Sequence, residues 1–385
     1  MKKALKFMIP VLGNAALVFA DGNGDCCPKP VQKCETKCKE VCEPCPTKKV
    51  CKTTCCTVRP KPPCECVTRA CDCGVDFFIT ADFIYWKARE DGLEFAMTNT
   101  AAPAAAPAQG RVNREHTKYK PGFKVGIGLD FCDWGWDTYL NYTWYRTNHN
   151  NNSTVTTVAA GTGLTLLDAY WFADTPDLNA AGTGATPAYT SATQSWNLRM
   201  NILDWEMGRK YWIGKHIMLR PHIGLKGAWN RQNQGVGFTG GDAAGGSVNS
   251  SNTEKFKGVG VRAGMDTAFH FSRGFSLLGK FALTGMYEKY RVSRSDSTID
   301  AAGAATSAVS VTDSFWNVEP VFEWFLGLNW ETWWSCDNMH LAIWVGWEEQ
   351  FWADRARFIR MPGTAQHGAG DLALQGLTLG AMFEF

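Results

Sequence analysis

The chain has 385 residues, 45% of them hydrophobic and 20% charged, which is the composition of a folded protein and excludes a disordered one. Its 39 basic and 37 acidic residues leave a net charge of +2, which argues against a dedicated nucleic-acid binder. After the first twenty residues no stretch offers 18 consecutive apolar residues, so a helical membrane protein is excluded too.

Residues 1–20 read as a secretory signal. Lys2, Lys3 and Lys6 form a positive start, Phe7 to Val18 is mostly apolar, and Val18 and Ala20 occupy the positions a signal peptidase expects, so cleavage is predicted after Ala20. Export permits disulfides.

Residues 21–74 form a Cys-rich segment expected to lie in the periplasm. It carries Cys26, Cys27, Cys34, Cys38, Cys42, Cys45, Cys51, Cys55, Cys56, Cys64, Cys66, Cys71 and Cys73. From Asp21 to Cys73 it has no Trp, Phe or Leu and cannot bury an apolar core, so its order must come from cross-links or metal. Zinc is the alternative suggested by the CxxC at Cys42 and Cys45. The lack of His, of a second CxxC and of uninterrupted chain (Pro44, Pro46, Pro60, Pro62, Pro63) favours disulfides, with no metal and no cofactor expected. Thirteen is odd, so at least one thiol pairs elsewhere, stays free or bridges to another chain.

From Val75 to Phe385 apolar residues alternate with small or polar ones, the period of half-exposed strands. In FKVGIGLDF (123–131), Phe123, Val125, Ile127, Leu129 and Phe131 share one face and Lys124 and Asp130 the other. In 217–227, Ile217, Leu219, Ile223 and Leu225 oppose Arg220, His222 and Lys226; in 259–271, Val259, Val261, Met265, Phe269 and Phe271 oppose Arg262, Asp266 and His270. A soluble sandwich would use strands of about 5–6 residues. The alternation here is longer, matching the roughly 9–11 residues of a membrane-crossing strand, and charges on the second face suit a wet lumen. The expected fold is therefore all-β, a transmembrane antiparallel β-barrel of the outer-membrane type spanning 75–385. Ten strands are predicted to begin near 75, 119, 136, 195, 216, 257, 274, 314, 338 and 372. The segments 93–99 and 164–172 could add a hairpin and raise the count to twelve. The apolar phase flips around Ile202–Asp204, which predicts a β-bulge.

Short turns at Cys132–Gly135, Lys210–Lys215, Ser272–Gly274 and Thr332–Asp337 alternate with long polar loops at about 99–118, 147–194, 231–256, 291–313 and 353–371, as periplasmic turns and external loops would. Cys132 and Cys336 fall in short turns, on the side expected for the Cys-rich segment. The 17 Trp crowd the strand ends. Trp134, Trp136, Trp205, Trp212, Trp330, Trp333 and Trp334 lie near short turns, and Trp144, Trp196, Trp229, Trp316 and Trp352 near long loops, predicting two interfacial girdles. The last strand, 372–385, puts Leu377, Leu379, Ala381, Phe383 and Phe385 outward and ends on Phe, which resembles the signal read by the outer-membrane insertion machinery, an expected partner.

At FFITADFIYWKAREDGLEFA (77–96) and SWNLRMNILDWEMGRKYW (195–212) the chain resembles the pore-forming major outer membrane proteins of the Legionella type, a family with versions in environmental chlamydiae. The resemblance covers most of 75–385 and implies a porin-like channel. The Cys-rich segment departs from the Legionella pattern and is similar instead to disulfide-linked chlamydial envelope proteins.

The leading expectation is a passive pore for small hydrophilic solutes in the bacterial outer membrane. Its inward candidates are Lys124, Asp130, Arg199, Asp204, Glu206, Arg220, Lys226, Arg262, Asp266, Lys280, Glu288, Glu319 and Glu323, of both signs. Ten strands imply a narrow lumen, since open aqueous channels need about 16–18. The competing expectation is a structural or adhesive envelope protein with a narrow or closed barrel, cross-linked to copies of itself or to other Cys-rich proteins. Seven scattered His, no HExxH, no GxSxG and no phosphate-binding loop argue against an enzyme; His149 and His367 fall in loops without a distinctive partner.

Overall fold

A strand that is apolar on one face and charged on the other can shelter its charges inside a sheet closed on itself and leave its apolar face outside. The computed structural model describes residues 75–99, 110–114, 116–131, 135–154, 166–169, 188–240, 246–272, 274–334, 339–360, 366–367 and 370–385. All of the described residues belong to one unit, Pro63–Phe385. All fifteen cysteines lie outside them, as does the predicted signal segment.

Ten strands form the closed sheet: β1 (Val75–Glu90), β2 (Lys120–Phe131), β3 (Trp136–Thr154), β4 (Ser191–Arg209), β5 (Ile217–Thr239), β6 (Ser247–Ser272), β7 (Phe275–Ile299), β8 (Ala305–Trp334), β9 (Met339–Trp352) and β10 (Leu372–Glu384). Each pairs antiparallel with its neighbours in sequence, and β10 returns to β1 from Phe78↔Glu384 to Glu90↔Leu372. Phe385 exchanges backbone hydrogen bonds with Phe77, so the chain end completes the seam. Paired residues followed once around the barrel lead from Gly327 through Ile84, Tyr145 and Phe256 to Phe315 of the same strand, a shear of about twelve residues, which tilts the strands by roughly 40°.

The predicted starts are met within one residue at seven strands; β4, β6 and β8 begin earlier. Much of the predicted loops 231–256 and 291–313 is therefore strand, and the connections shrink to 240–246 and 300–304. These ladders run on past the apolar band, where the outward face turns basic (Arg231, Lys255, Arg291) and then small and polar (Asn233, Thr253, Ser251, Ser293, Ser295), and the alternation signal fades. The segments considered for an extra hairpin do form strands, but not in the barrel. Ala96–Asn99 and Leu166–Ala169 join Gly110–Asn113 and Ala188–Tyr189 in a separate four-stranded sheet. Phe95, Ala96 and Tyr189 pack there with Ala192, Val236, Phe238 and Val248 from the extended ends of β4, β5 and β6.

The apolar face points outward: Val261 is 61% and Val318 68% exposed. The predicted bulge at Ile202–Asp204 is absent, because β4 pairs without a register shift with both β3 and β5. Even-numbered residues from Ala192 to Gly208 all face inward. What inverts is the chemistry. Inward residues are apolar near the long loops (Trp196, Leu198, Met200, Ile202) and charged further down (Asp204, Glu206), while outward residues change in the opposite sense. The same inversion occurs on β1, where Thr80 and Asp82 give way inward to Ile84, Trp86 and Ala88. On β1 and β4, therefore, a charged lower interior gives way to an apolar upper one, while β5 and β6 stay polar inward with Gln232, Gln234, Asn252 and Glu254.

The tryptophans divide accordingly. Trp205, Trp330 and Trp334 near the short turns and Trp229 and Trp316 near the long loops are exposed on the outer face. Trp196 and Trp352 are fully buried inside the barrel rather than in a girdle, and Trp333 stacks inward on His340. Trp134 lies outside the described residues.

Candidate functional site in the barrel lumen

Charged inward residues on neighbouring strands fall at matching heights, so the lower lumen collects them into three linked clusters. In the first, Arg220 of β5 donates to Asp137 of β3, to Glu206 of β4 (2.9 Å) and to Asp266 of β6 (2.8 Å). In the second, Lys226 lies 2.6 Å from both Asp204 and Glu323, and Arg262 pairs with Glu323. In the third, Lys124 of β2 reaches Glu348 of β9, which also accepts from Thr378 at 2.9 Å. Glu206, His222 and Asp266 hold one ligand atom each within 4.8 Å, the only such group among the described residues. Arg220 already donates to both of those carboxylates, so the charge a metal ion would neutralise is taken.

All of these side chains except Lys226 and His222 line a chamber of 280 Å³. Its wall carries nine carboxylates (Asp82, Asp137, Asp204, Glu206, Asp266, Glu323, Glu331, Glu348, Glu384) against Lys124, Lys210, Arg220, Arg262 and Lys280. Lys280 is exposed to the chamber, its ammonium 5.4 Å from the Trp344 ring. Glycines make room for the larger groups. A Cβ on Gly208 would sit 2.8 Å from Arg220 Nε, and one on Gly264 2.7 Å from the His222 ring. Gly208→Ala should therefore push Arg220 off its carboxylates and destabilise the barrel by about 1–3 kcal/mol, read as a lower thermal midpoint in detergent; an unchanged midpoint would contradict the packing.

Above the chamber the interior is closed by packing. Ile84, Trp86, Tyr145, Trp196, Met200, Phe256, Met286, Tyr290, Val321 and Trp352 form one buried cluster, and Phe358 enters it from the segment after β9. That segment, 353–360, is a strap across the lumen. Asp354 turns it in the left-handed region (φ 59°), a conformation Asp tolerates better than most residues. Ala353 N donates to Pro320 O (3.2 Å) and Ala356 N to Gly370 O (2.8 Å). Arg355 is fully buried, paired with fully buried Glu254 and stacked 3.5 Å over Phe256. Tyr290 OH lies 2.6 Å from Glu319 and 2.9 Å from Glu288, both inward.

Of the thirteen predicted lumen residues, Asp204, Glu206, Arg220, Arg262, Asp266, Glu323, Lys124 and Lys280 line the chamber. Lys226 is bonded within its wall, Asp130 binds Lys210 (2.6 Å), and Glu288 and Glu319 sit at the strap. Arg199 is a correction. Its neighbours Leu198 and Met200 fill the interior, so odd-numbered Arg199 faces outside. The alternation that placed it inward was read across the inversion of chemistry. Asp82 and Asp137 were within reach of the same alternation, opposite Phe83 and Thr138. Glu254 and Arg355 were not, since both fall in segments predicted as loop. His149 is buried beside Trp196 rather than open at the rim.

Among solved structures, the Escherichia coli outer membrane protease OmpT is similar over 80% of this chain and 96% of its own, at 8% identity and a TM-score of 0.35. A major outer membrane protein from Thermus thermophilus matches over 81% and 100% at 11% identity and a TM-score of 0.29. A FadL homologue from Pseudomonas aeruginosa matches over 81% and 90% at 8% and 0.28. Likeness at this level assigns nothing to the present chain. No curated protein matches by sequence. The family model described as the Legionella pneumophila major outer membrane protein precursor matches residues 70–385, nearly the whole chain outside the Cys-rich segment. The protein belongs to that family, and its barrel is of the outer-membrane, porin type.

Proposed function

We propose that the protein is a narrow channel for passive diffusion of small hydrophilic solutes, stoppered in the present conformation by the 353–360 strap, with its long-loop end outside the cell. The observation that carries this reading is the water-accessible charged chamber in a barrel whose outer face is apolar. Its wall carries 14 acidic and basic side chains around a cavity that holds water, the lining a small hydrophilic solute would need. The excess of carboxylates favours cations. In planar bilayers under a KCl gradient, purified protein should open channels whose reversal potential shows K⁺ preferred over Cl⁻. Protein that inserts and never conducts sinks the channel reading; an anion preference would overturn the assignment of selectivity to this wall.

A second, compatible reading is structural, with a periplasmic Cys-rich segment cross-linked to neighbouring chains. It is favoured by thirteen cysteines within residues 26–73 and an odd total of 15. Electrophoresis of envelopes without reductant should show reductant-sensitive multimers. A monomer under both conditions defeats it.

A further inference from the structure

Arg199, facing outward, belongs to a pattern on the barrel's outer wall. Arg146, Arg199, Arg231, Lys255 and Arg291 are directly paired, each with the next, across the five neighbouring strands β3 to β7. Lys257 and Lys289 are paired with each other one outward position nearer the short turns. Like charges directly opposite one another are destabilising, and five in succession form a row that intrinsic stability would not select. Among the described residues none of the seven forms an ion pair with a carboxylate. Arg146 is held instead by Asn201 Oδ1 (2.9 Å) and the Met200 carbonyl (2.7 Å). Together these side chains line a surface groove of 410 Å³ with Trp229 at its edge.

The height of the row identifies its ligand. On each strand the basic residue is the first or second outward position beyond the last large apolar one: Arg146 after Trp144, Arg199 after Leu203, Arg231 after Trp229, Lys255 after Val259 and Arg291 after Tyr287. Lys289 lies 5.3 Å over the Trp316 ring and Arg146 5.0 Å over Trp144. The row therefore stands where acyl chains end and headgroups begin, on the long-loop side. A soluble anion would not require an apolar band directly beneath it; a lipid would.

We propose that this row binds the phosphorylated sugar headgroup of an outer-leaflet glycolipid, its phosphates on the arginines and its acyl chains against the apolar band below. The proposal rests on the long-loop end being external. External proteolysis of a tag inserted at 240–246 in whole cells reads that orientation separately. The test compares full-length protein with R199Q/R231Q/R291Q in zwitterionic detergent, following the thermal midpoint with bisphosphorylated lipid A, its dephosphorylated form, or inorganic phosphate. Lipid A should raise the wild-type midpoint by several degrees, and the other two additions should not. The triple variant should lose most of that gain, yet without lipid should be at least as stable as wild type, because its like-charge row is relieved. R209Q/K215Q, at the short-turn end, should keep the gain. An equal gain in wild type and the triple variant, an equal gain with dephosphorylated lipid, or the same shift from inorganic phosphate would each overturn the proposal.

Discussion

Lys226→Met is expected to lower the stability of the barrel by about 3–5 kcal/mol. Lys226 is fully buried and lies 2.6 Å from both Asp204 and Glu323. Its removal leaves two buried carboxylates facing one remaining cation, Arg262, which lies 3.8 Å from Asp204. Desolvation of an unpaired carboxylate, not the loss of an attraction, supplies most of the penalty. The distinction can be measured. In the double variant Lys226→Met with Glu323→Gln the charges balance again, with Arg262 left to Asp204, and more than half of the lost stability should return. Thermal midpoints of wild type, both single variants and the double variant in one detergent give the coupling directly. If the two changes are simply additive, the cluster does not act as a unit and the wet chamber screens each charge by itself.

That cluster was partly visible in the sequence, and the reason is geometrical. Strict alternation places Lys226, Arg262 and Glu323 on the side opposite Leu225, Val261 and Phe322, so their inward direction follows from period two alone. Their partnership does not. Lys226 and Glu323 stand three strands apart and meet across the lumen, a distance fixed by strand number and shear. The ten strands were legible because each carries its own apolar stripe. The upper interior was misread because an outward stripe that stops and an inward stripe that starts look, in one dimension, like a slipped register. The same inversion carried Arg199 to the wrong side. On β4 the outward apolar stripe stops where the inward one starts, so the inversion there marks the upper edge of the apolar band.

The strap is the part of the site that period two could not reveal, because 353–360 has no alternation and its anchor, Glu254, is about a hundred residues away in a segment whose outward face is polar. Arg355→Ala should release it. The substitution removes a buried cation from Glu254, from the face of Phe256 and from Tyr290 OH, 3.2 Å away. Glu254 keeps Gln232 (3.0 Å) and the backbone N–H of Arg357 (2.7 Å), but the latter belongs to the strap and leaves with it. A loss of about 3–5 kcal/mol in tethering corresponds to a shift of more than a hundredfold toward the open arrangement. The expected result in planar bilayers is a large rise in open probability at an unchanged sign of selectivity, because the carboxylate wall below is untouched. Hydrogen exchange of the 353–360 amides should quicken in the same variant. Arg357→Gln is the comparison: that side chain pairs within the strap with Asp354 (2.6 Å) and only distantly with Glu319 (3.8 Å), so it should alter conductance little. Faster exchange without added conductance would mean that Trp86, Trp196 and Trp352 close the lumen by themselves and that the strap merely covers them.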